Sequence, residues 1–124
     1  MKSYQDLDIY KLSYELALRS HRLSLALPRF ELYEEGSQLR RSSKSVVSTI
    51  VEGYGRRRYK AEFVKFLVYA HASCDETLVH LALLKDTHED NKEEIESLIE
   101  GYRELGRRLN KFLAFVQSKW NEFP

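Results

Sequence analysis

IESLIEGYRELGRRLNKFLAFV, residues 95–116, places an apolar side chain at every third or fourth position. At 100° per residue, one side of a helix collects these apolar residues. They are Ile95, Leu98, Tyr102, Leu105, Leu109, Phe112 and Val116. The opposite side carries the charged residues Glu100, Glu104, Arg107, Arg108 and Lys111. Such a helix packs its apolar side against other helices and turns its charged side to water.

The same period recurs along the rest of the chain. Four helices are predicted, over roughly residues 8–27, 35–53, 59–87 and 91–118. The predicted stop and start residues are Asp6 or Asp8 capping the first helix, Pro28 ending it, Gly53 or Gly55 ending the second in the left-handed conformation, and Asp90 or Asn91 capping the fourth. Short connections make consecutive helices antiparallel neighbours. The expected fold is all-α, an antiparallel up-and-down four-helix bundle in one domain over residues 1–124.

Composition limits the compartment and the class of protein. The chain has 124 residues, of which 43% are hydrophobic and 31% are charged, which is typical of globular proteins. No apolar run approaches the roughly 18 residues that a transmembrane helix needs. The start of the chain lacks the layout of a secretory signal, and the single Cys74 permits no intrachain disulfide. A cytoplasmic protein without membrane contact is expected.

Two of the predicted helices carry a second apolar stripe. The first helix has Leu7, Tyr14, Leu18 and Leu25 nearly opposite its main stripe, and the third has Val68, Ala72, Val79 and Leu83. Since a bundle helix needs only one apolar stripe, the second one predicts self-association. The alternative is a wide stripe that faces two neighbouring helices of the same bundle.

Charged residues extend this prediction to the second helix. Arg41, Ser45, Ser48 and Glu52 fall within about 60° of one another there, as either a subunit contact or a solvated surface. The predicted oligomer interface comprises Leu18, Leu25, Arg41, Glu52, Val68, Ala72, Glu76 and Val79.

Basic residues are concentrated in the middle of the chain. Residues 36–65 hold eight Lys or Arg against two Asp or Glu, although the whole chain has a formal net charge of only +1. The turn EGYGRRRYK, residues 52–60, contains three consecutive arginines. The predicted surface for nucleic-acid phosphates comprises Arg40, Lys44, Arg56, Arg57, Arg58 and Lys60. Tyr54 and Tyr59 could stack on unpaired bases beside it. The alternative is a solvated turn in a protein-interaction scaffold that binds no nucleic acid.

Catalytic and metal-binding patterns are weak. His71, Cys74, Asp75, Glu76 and His80 follow one another at helical spacing. A di-iron bundle uses a Glu-x-x-His unit on each of two helices, whereas this chain offers one Glu76 and one His80 four residues apart. The sequence contains no nucleophile elbow, no phosphate loop and no pair of histidines at zinc spacing. We expect a protein that is not an enzyme and that has no metal and no cofactor.

Three segments together resemble a known family. They are YQDLDIYKLSYELAL near the start, SQLRRSSKSVVSTIVEG in the second helix and EFVKFLVYAHASCDETLVHLALL in the third. They resemble the four-helix-bundle family that includes proteins encoded in intervening sequences of bacterial 23S ribosomal RNA genes. The second-helix motif falls on Gln38, Arg40, Arg41, Ser45, Ile50, Glu52 and Gly53. In the third helix the small-residue element falls on Ala72 and Ser73 and the acidic element on Glu76, while His80 stands where Gln is common. Many members have Pro and Asn where this chain has Val47 and Thr49, so a straighter second helix is expected here.

The resemblance implies a bundle that assembles as a ring, commonly a homopentamer, with no enzymatic activity. A similar fold occurs in the accessory protein of diversity-generating retroelements, a basic pentamer that associates with nucleic acid and a reverse transcriptase. By this analogy the chain would be a homo-oligomer with RNA or DNA, and a protein such as a reverse transcriptase, as partners.

Overall fold

A computed structural model describes residues 3–120 of the chain as a bundle of four helices. The helices are α1, Asp8–Ala26; α2, Glu35–Gly55; α3, Lys60–Thr87; and α4, Lys92–Lys119. Short 3-10 turns lie at Tyr4–Asp6 and Arg29–Tyr33. Each helix packs beside the next, and α4 returns to pack on α1. The prediction of an all-α, up-and-down four-helix bundle is confirmed.

The core is built from the apolar stripes. All of the apolar residues predicted on α4 are buried except Phe112, which is half-buried. Phe63, Leu67 and Leu81 of α3 are at most 1% exposed. Each such side chain contributes about 1.5–3 kcal/mol by leaving water. The core therefore supplies most of the favourable energy that holds the four helices together.

Small residues bring α2 close to α3. Ser43 of α2 is fully buried. Thr77 Oγ1 of α3 donates to Ser42 Oγ at 2.9 Å, and the hydroxyls of Ser45 and Ser73 lie 3.0 Å apart. Leu39, Ser43, Val46 and Ile50, which share one side of α2, are fully buried in the structure. Ser45 therefore packs between α2 and α3. It does not lie on the exposed strip that the sequence predicted it to share with Arg41, Ser48 and Glu52.

The ends of the helices differ from the predictions. Neither Asp6 nor Asp8 caps α1, because Leu7 occupies the N-cap position and Asp6 accepts from Ser3 N within the preceding 3-10 turn. Both Gly53 and Gly55 have negative φ, so α2 does not end in a left-handed glycine. Asn91 precedes α4 in the left-handed conformation, with φ 64°, but its side chain makes no capping hydrogen bond. Pro28 ends α1 as predicted.

The connection between α1 and α2 is tied down by polar contacts. Arg40 donates to Ser24 Oγ at 2.9 Å and to the Leu32 carbonyl. The buried Glu31 carboxylate pairs with His88 at the far end of α3. These contacts fix one end of the bundle. No helix within residues 3–120 combines the length and the apolar character needed to cross a membrane.

Candidate nucleic-acid interface

The α2–α3 turn gathers the arginine cluster at one end of the bundle. Arg56, Arg57 and Arg58 lie between the last residue of α2 and the first of α3. The turn is closed by backbone hydrogen bonds from Arg57 N to the Tyr54 carbonyl, 3.2 Å, and from Tyr59 N to the Arg56 carbonyl, 2.9 Å. Lys60 is the first residue of α3, so four cationic side chains project from the short stretch of backbone at residues 56–60.

The contacts of Arg56 and Arg57 within the protein orient their side chains. Arg56 pairs with Glu62 at 3.2 Å and lies over the Phe66 ring, 4.6 Å from its centroid. Arg57 donates to the Tyr54 carbonyl at 3.0 Å and stacks on the Tyr54 ring at 4.0 Å. Ring contacts hold a guanidinium in place without cancelling its charge. These two side chains are thus oriented by the turn, and Arg56 remains half-exposed at 49% of its side chain.

Only one of the two tyrosines proposed to stack on bases is accessible. Tyr54 is 4% exposed and packs edge-on against Phe63 in the core, so it has no free face for a base. Tyr59 is 65% exposed beside the arginines. The prediction for Tyr54 is wrong because the last turn of α2 directs that ring inward.

Arg40 and Lys44 lie away from the turn. Arg40 is sixteen residues before Arg56 along α2, roughly 24 Å at 1.5 Å per residue. Its guanidinium is half-buried and holds the α1–α2 connection. Lys44 is exposed in a groove between α1 and α2. The structure therefore brings together Arg56, Arg57, Arg58 and Lys60 and separates the other two predicted residues from them.

The C-terminus of α4 adds basic residues that the sequence prediction missed. Trp120 contacts Phe63 of α3 at 5.2 Å between ring centroids, which puts the end of α4 beside the α2–α3 turn. Lys111 and Lys119 are exposed on this last part of α4. The up-and-down topology was the signal that could have revealed them, since α2 and α4 end at the same side of such a bundle. We call this end of the bundle, with the α2–α3 turn and the C-terminus of α4, the basic end.

The opposite end of the bundle has the opposite charge. Residues 85–96, which connect α3 to α4, hold six Asp or Glu against two Lys. The 3-10 turn between α1 and α2 and the start of α2 add Glu31, Glu34 and Glu35 there. The molecule therefore has a charge polarity along its helices, with the basic end the side suited to a polyanion.

The predicted interface residues are all exposed. Leu18, Leu25, Val68 and Val79 are 42–57% exposed, and Arg41, Glu52, Ala72 and Glu76 also reach solvent. The alternative interpretation, in which neighbouring helices of the same bundle cover the second stripes, is wrong for these residues and holds only for Leu7 of the first stripe, which is 2% exposed. Beside the stripe on α1 lies a groove with a cavity volume of about 420 Å³, lined by Tyr14, Ala17, Leu18, His21, Lys44, Val47 and Ser48.

The residues on α3 that were considered as metal ligands do not form a site. Within residues 3–120, no three His, Cys, Asp or Glu side chains are placed to hold a metal ion. His80 instead contacts two carboxylates, which accept from its ring nitrogens: Nδ1 lies 2.7 Å from Glu35 and Nε2 lies 3.3 Å from Glu76. Cys74 is fully buried and donates to the Tyr102 carbonyl at 3.3 Å. Burial, with a smaller effect of Asp75, raises the pKa of the Cys74 thiol to about 12.

A family model described as 23S rRNA-intervening sequence protein matches residues 5–111. The chain belongs to this family. The match covers α1, α2, α3 and most of α4, including the whole α2–α3 turn. It extends the resemblance read from the sequence, which reached only the end of α3.

A solved structure has the same fold. It is the crystal structure of a protein of unknown function from the S23 ribosomal protein family of Bacteroides thetaiotaomicron, with a TM-score of 0.76 and 24% sequence identity. The similarity covers 85% of this chain and 97% of that one. At this identity the likeness establishes the four-helix fold and nothing about ligands. No curated protein matches the chain.

Proposed function

We propose that this protein is a non-enzymatic homo-oligomer that binds RNA or DNA through the phosphates, using its basic end. The observation that carries the proposal is the α2–α3 turn, where the consecutive Arg56, Arg57 and Arg58 are followed by the exposed Tyr59 and then by Lys60. Phosphate oxygens accept hydrogen bonds from guanidinium groups in pairs, and an exposed ring stacks on any unpaired base. Recognition would be of charge and shape, because a turn of this kind has no element to enter a groove and read base edges.

Self-association strengthens the argument. A single turn with four cations binds phosphate weakly, but several copies held in one assembly act on the same polyanion as a multivalent surface. The exposed stripes on α1 and α3 support such an assembly. The family is named for an intervening sequence of 23S rRNA, so structured RNA is the first ligand to test.

A second candidate is a protein-interaction scaffold. The Arg56–Glu62 ion pair and the Arg57–Tyr54 stack favour it, because both give the arginines a role in shaping the turn. A scaffold that binds another protein neutralises no phosphates. Its ligand binding should therefore not depend on the number of phosphates that the arginines contact.

Fluorescence anisotropy separates the two. Labelled structured RNA and single-stranded DNA are titrated at 50 and 200 mM salt with wild type and with the triple variant Arg56→Ala, Arg57→Ala and Arg58→Ala. The control variant carries Arg29→Ala, Lys85→Ala and Arg103→Ala, which remove the same charge away from the basic end. We expect the first triple variant to bind at least roughly tenfold more weakly and with a shallower salt slope, because fewer counterions are released. Equal losses in the two variants, or no binding by wild type, would remove the proposal and leave the scaffold.

A further inference from the structure

A cavity lies between the start of α1 and the last turns of α4. Its volume is about 590 Å³, which is within the range of roughly 300–1,000 Å³ that small-molecule sites occupy. The 3-10 turn before α1 lines one side of it, and the outer side of α4 lines the other. Since α1 begins where α2 ends in an up-and-down bundle, the cavity opens at the basic end.

The apolar lining of this cavity includes an exposed aromatic ring. Leu7 and Ile9 are only 2% and 3% exposed, whereas Phe115 is 45% exposed. The Phe115 ring stacks on Phe112 with 6.2 Å between the ring centroids, and it meets Trp120 at 6.3 Å. Its neighbours thus hold the ring in place, while much of its surface remains accessible to a flat ligand.

Ring contacts connect the cavity to the arginine turn. Besides Phe115, Trp120 contacts Phe63, with 5.2 Å between the ring centroids. Phe63 in turn lies 6.2 Å from Tyr54, on which Arg57 stacks at 4.0 Å. One aromatic cluster therefore separates the cavity from the turn, and a polyanion that binds the turn can extend to the cavity.

The charged residues of the wall between α1 and α4 are paired with one another. Arg108 donates through Nη1 to both oxygens of Asp8, at 2.9 and 2.8 Å, and through Nε to Glu104 at 2.8 Å. Arg107 donates to the same Glu104 at 2.8 Å. Two arginines thus offset two carboxylates, so a flat ligand can lie on this wall without covering an unbalanced charge.

The rim of the cavity suits a ligand that has both an anion and N–H donors. Lys111 is exposed on α4, and Asp6 is exposed on the 3-10 turn opposite. A phosphate oxygen accepts hydrogen bonds from a lysine, and a carboxylate accepts them from the N–H groups on the edge of a base. A nucleotide combines both groups with a flat ring that stacks on phenylalanine.

We infer that this cavity receives one unpaired nucleotide of the RNA or DNA bound at the basic end, with its base on Phe115 and its phosphate on Lys111. The inference rests on the proposed function and adds a preference for nucleic acid with unpaired bases. A base inside a duplex is stacked on both faces and cannot enter the cavity. Because every base has a flat face, stacking alone accepts any of the four bases.

Two labelled RNA duplexes with blunt ends test the inference by fluorescence anisotropy. One is fully paired, and the other contains a bulge of three adenosines. We expect wild type to bind the bulged duplex roughly 5- to 150-fold more tightly, which is the contribution of one base stacked on an aromatic side chain. Phe115→Leu should abolish this preference and leave the affinity for the paired duplex within about twofold, because the leucine fills the same place beside Phe112 and Trp120 without offering a ring.

The control variants are Phe30→Leu and Tyr59→Leu. Phe30 is 59% exposed near the acidic end, so its replacement should keep the preference for the bulged duplex. Three results would overturn the inference and leave the proposed function standing: equal affinity of wild type for the two duplexes, a preference that survives in Phe115→Leu and is lost in Tyr59→Leu, or an equal loss for both duplexes in Phe115→Leu. No binding of either duplex by wild type would remove the proposed function and the inference together. Circular dichroism checks that each variant is folded.

Discussion

Gly36 occupies the first turn of α2, where the chain has no space for a side chain. A Cβ atom there would overlap the carbonyl oxygen of Glu31, which is backbone and cannot move aside. A Cβ at Gly55 meets nothing within 4 Å. We expect Gly36→Ala to destabilise the protein by about 1–3 kcal/mol. Gly55→Ala should be neutral or stabilising by up to about 1 kcal/mol, because alanine restricts the unfolded chain. Urea denaturation at one fixed protein concentration gives both values, and equal stabilities would contradict the assigned geometry.

Cys74 should be chemically silent in the folded protein. Its pKa of about 12 leaves on the order of one thiol in ten thousand ionised at pH 8, and the thiolate is the reactive form. We expect almost no reaction with a disulfide reagent over minutes at pH 8, and complete reaction once urea unfolds the chain. Prompt stoichiometric labelling of the native protein would contradict the burial of this side chain.

Single residues show where sequence reasoning about the site stops. The cluster Arg56, Arg57 and Arg58 could be predicted, because it is contiguous and lies between two periodic segments. The inward direction of Tyr54 and the use of Arg40 to hold the α1–α2 connection could not. Both depend on which side of α2 faces the neighbouring helix in three dimensions, and the 3.6-residue period leaves boundary positions undecided.

Among the elements, the α2–α3 pair depends on buried hydroxyls. Thr77 is fully buried, and its Oγ1 lies 2.9 Å from Ser42 Oγ and 2.8 Å from the Ser73 carbonyl. Thr77→Val should cost about 1 kcal/mol, because it removes these bonds. Adding Ser42→Ala should cost less than its effect in wild type, since no partner is then left unpaired, giving a coupling energy of about 0.5–1.5 kcal/mol. Denaturation of the two single variants and the double variant measures this cycle. Strictly additive effects would mean that the two hydroxyls do not bond.

The helices themselves were predictable to within a few residues. α1 and α2 begin at Asp8 and Glu35 as predicted, because apolar periodicity is set by burial along the whole length of an element. Their caps were not predictable, because several candidate residues at each joint can satisfy the free amides or carbonyls. Leu7, which was not a candidate, is the N-cap residue of α1, whereas Asn91, which was one of the two candidates, is the N-cap residue of α4; neither side chain makes a capping hydrogen bond.

At the scale of the whole molecule, the charge polarity is a consequence of topology. An up-and-down bundle places the ends of α2 and α4 together, so the arginine turn and the lysines of α4 add to one another, while the acidic connection between α3 and α4 lies at the far end. Neither half of this arrangement shows in the net charge of +1.

This polarity can be tested with two variants that have the same net charge as each other. Lys119→Glu reverses a charge at the basic end, and Arg29→Glu makes the same change near the acidic end; both side chains are exposed. If RNA phosphates bind at the basic end, Lys119→Glu should weaken binding several-fold and lower the salt slope, since about one phosphate contact is lost per subunit. Arg29→Glu should leave the affinity within about twofold, because at physiological salt a charge more than about 8 Å from the ligand is largely screened. Anisotropy titrations of the same labelled RNA measure both. Equal effects of the two variants would mean that only total charge attracts the RNA, and the basic end would lose its role as the binding surface.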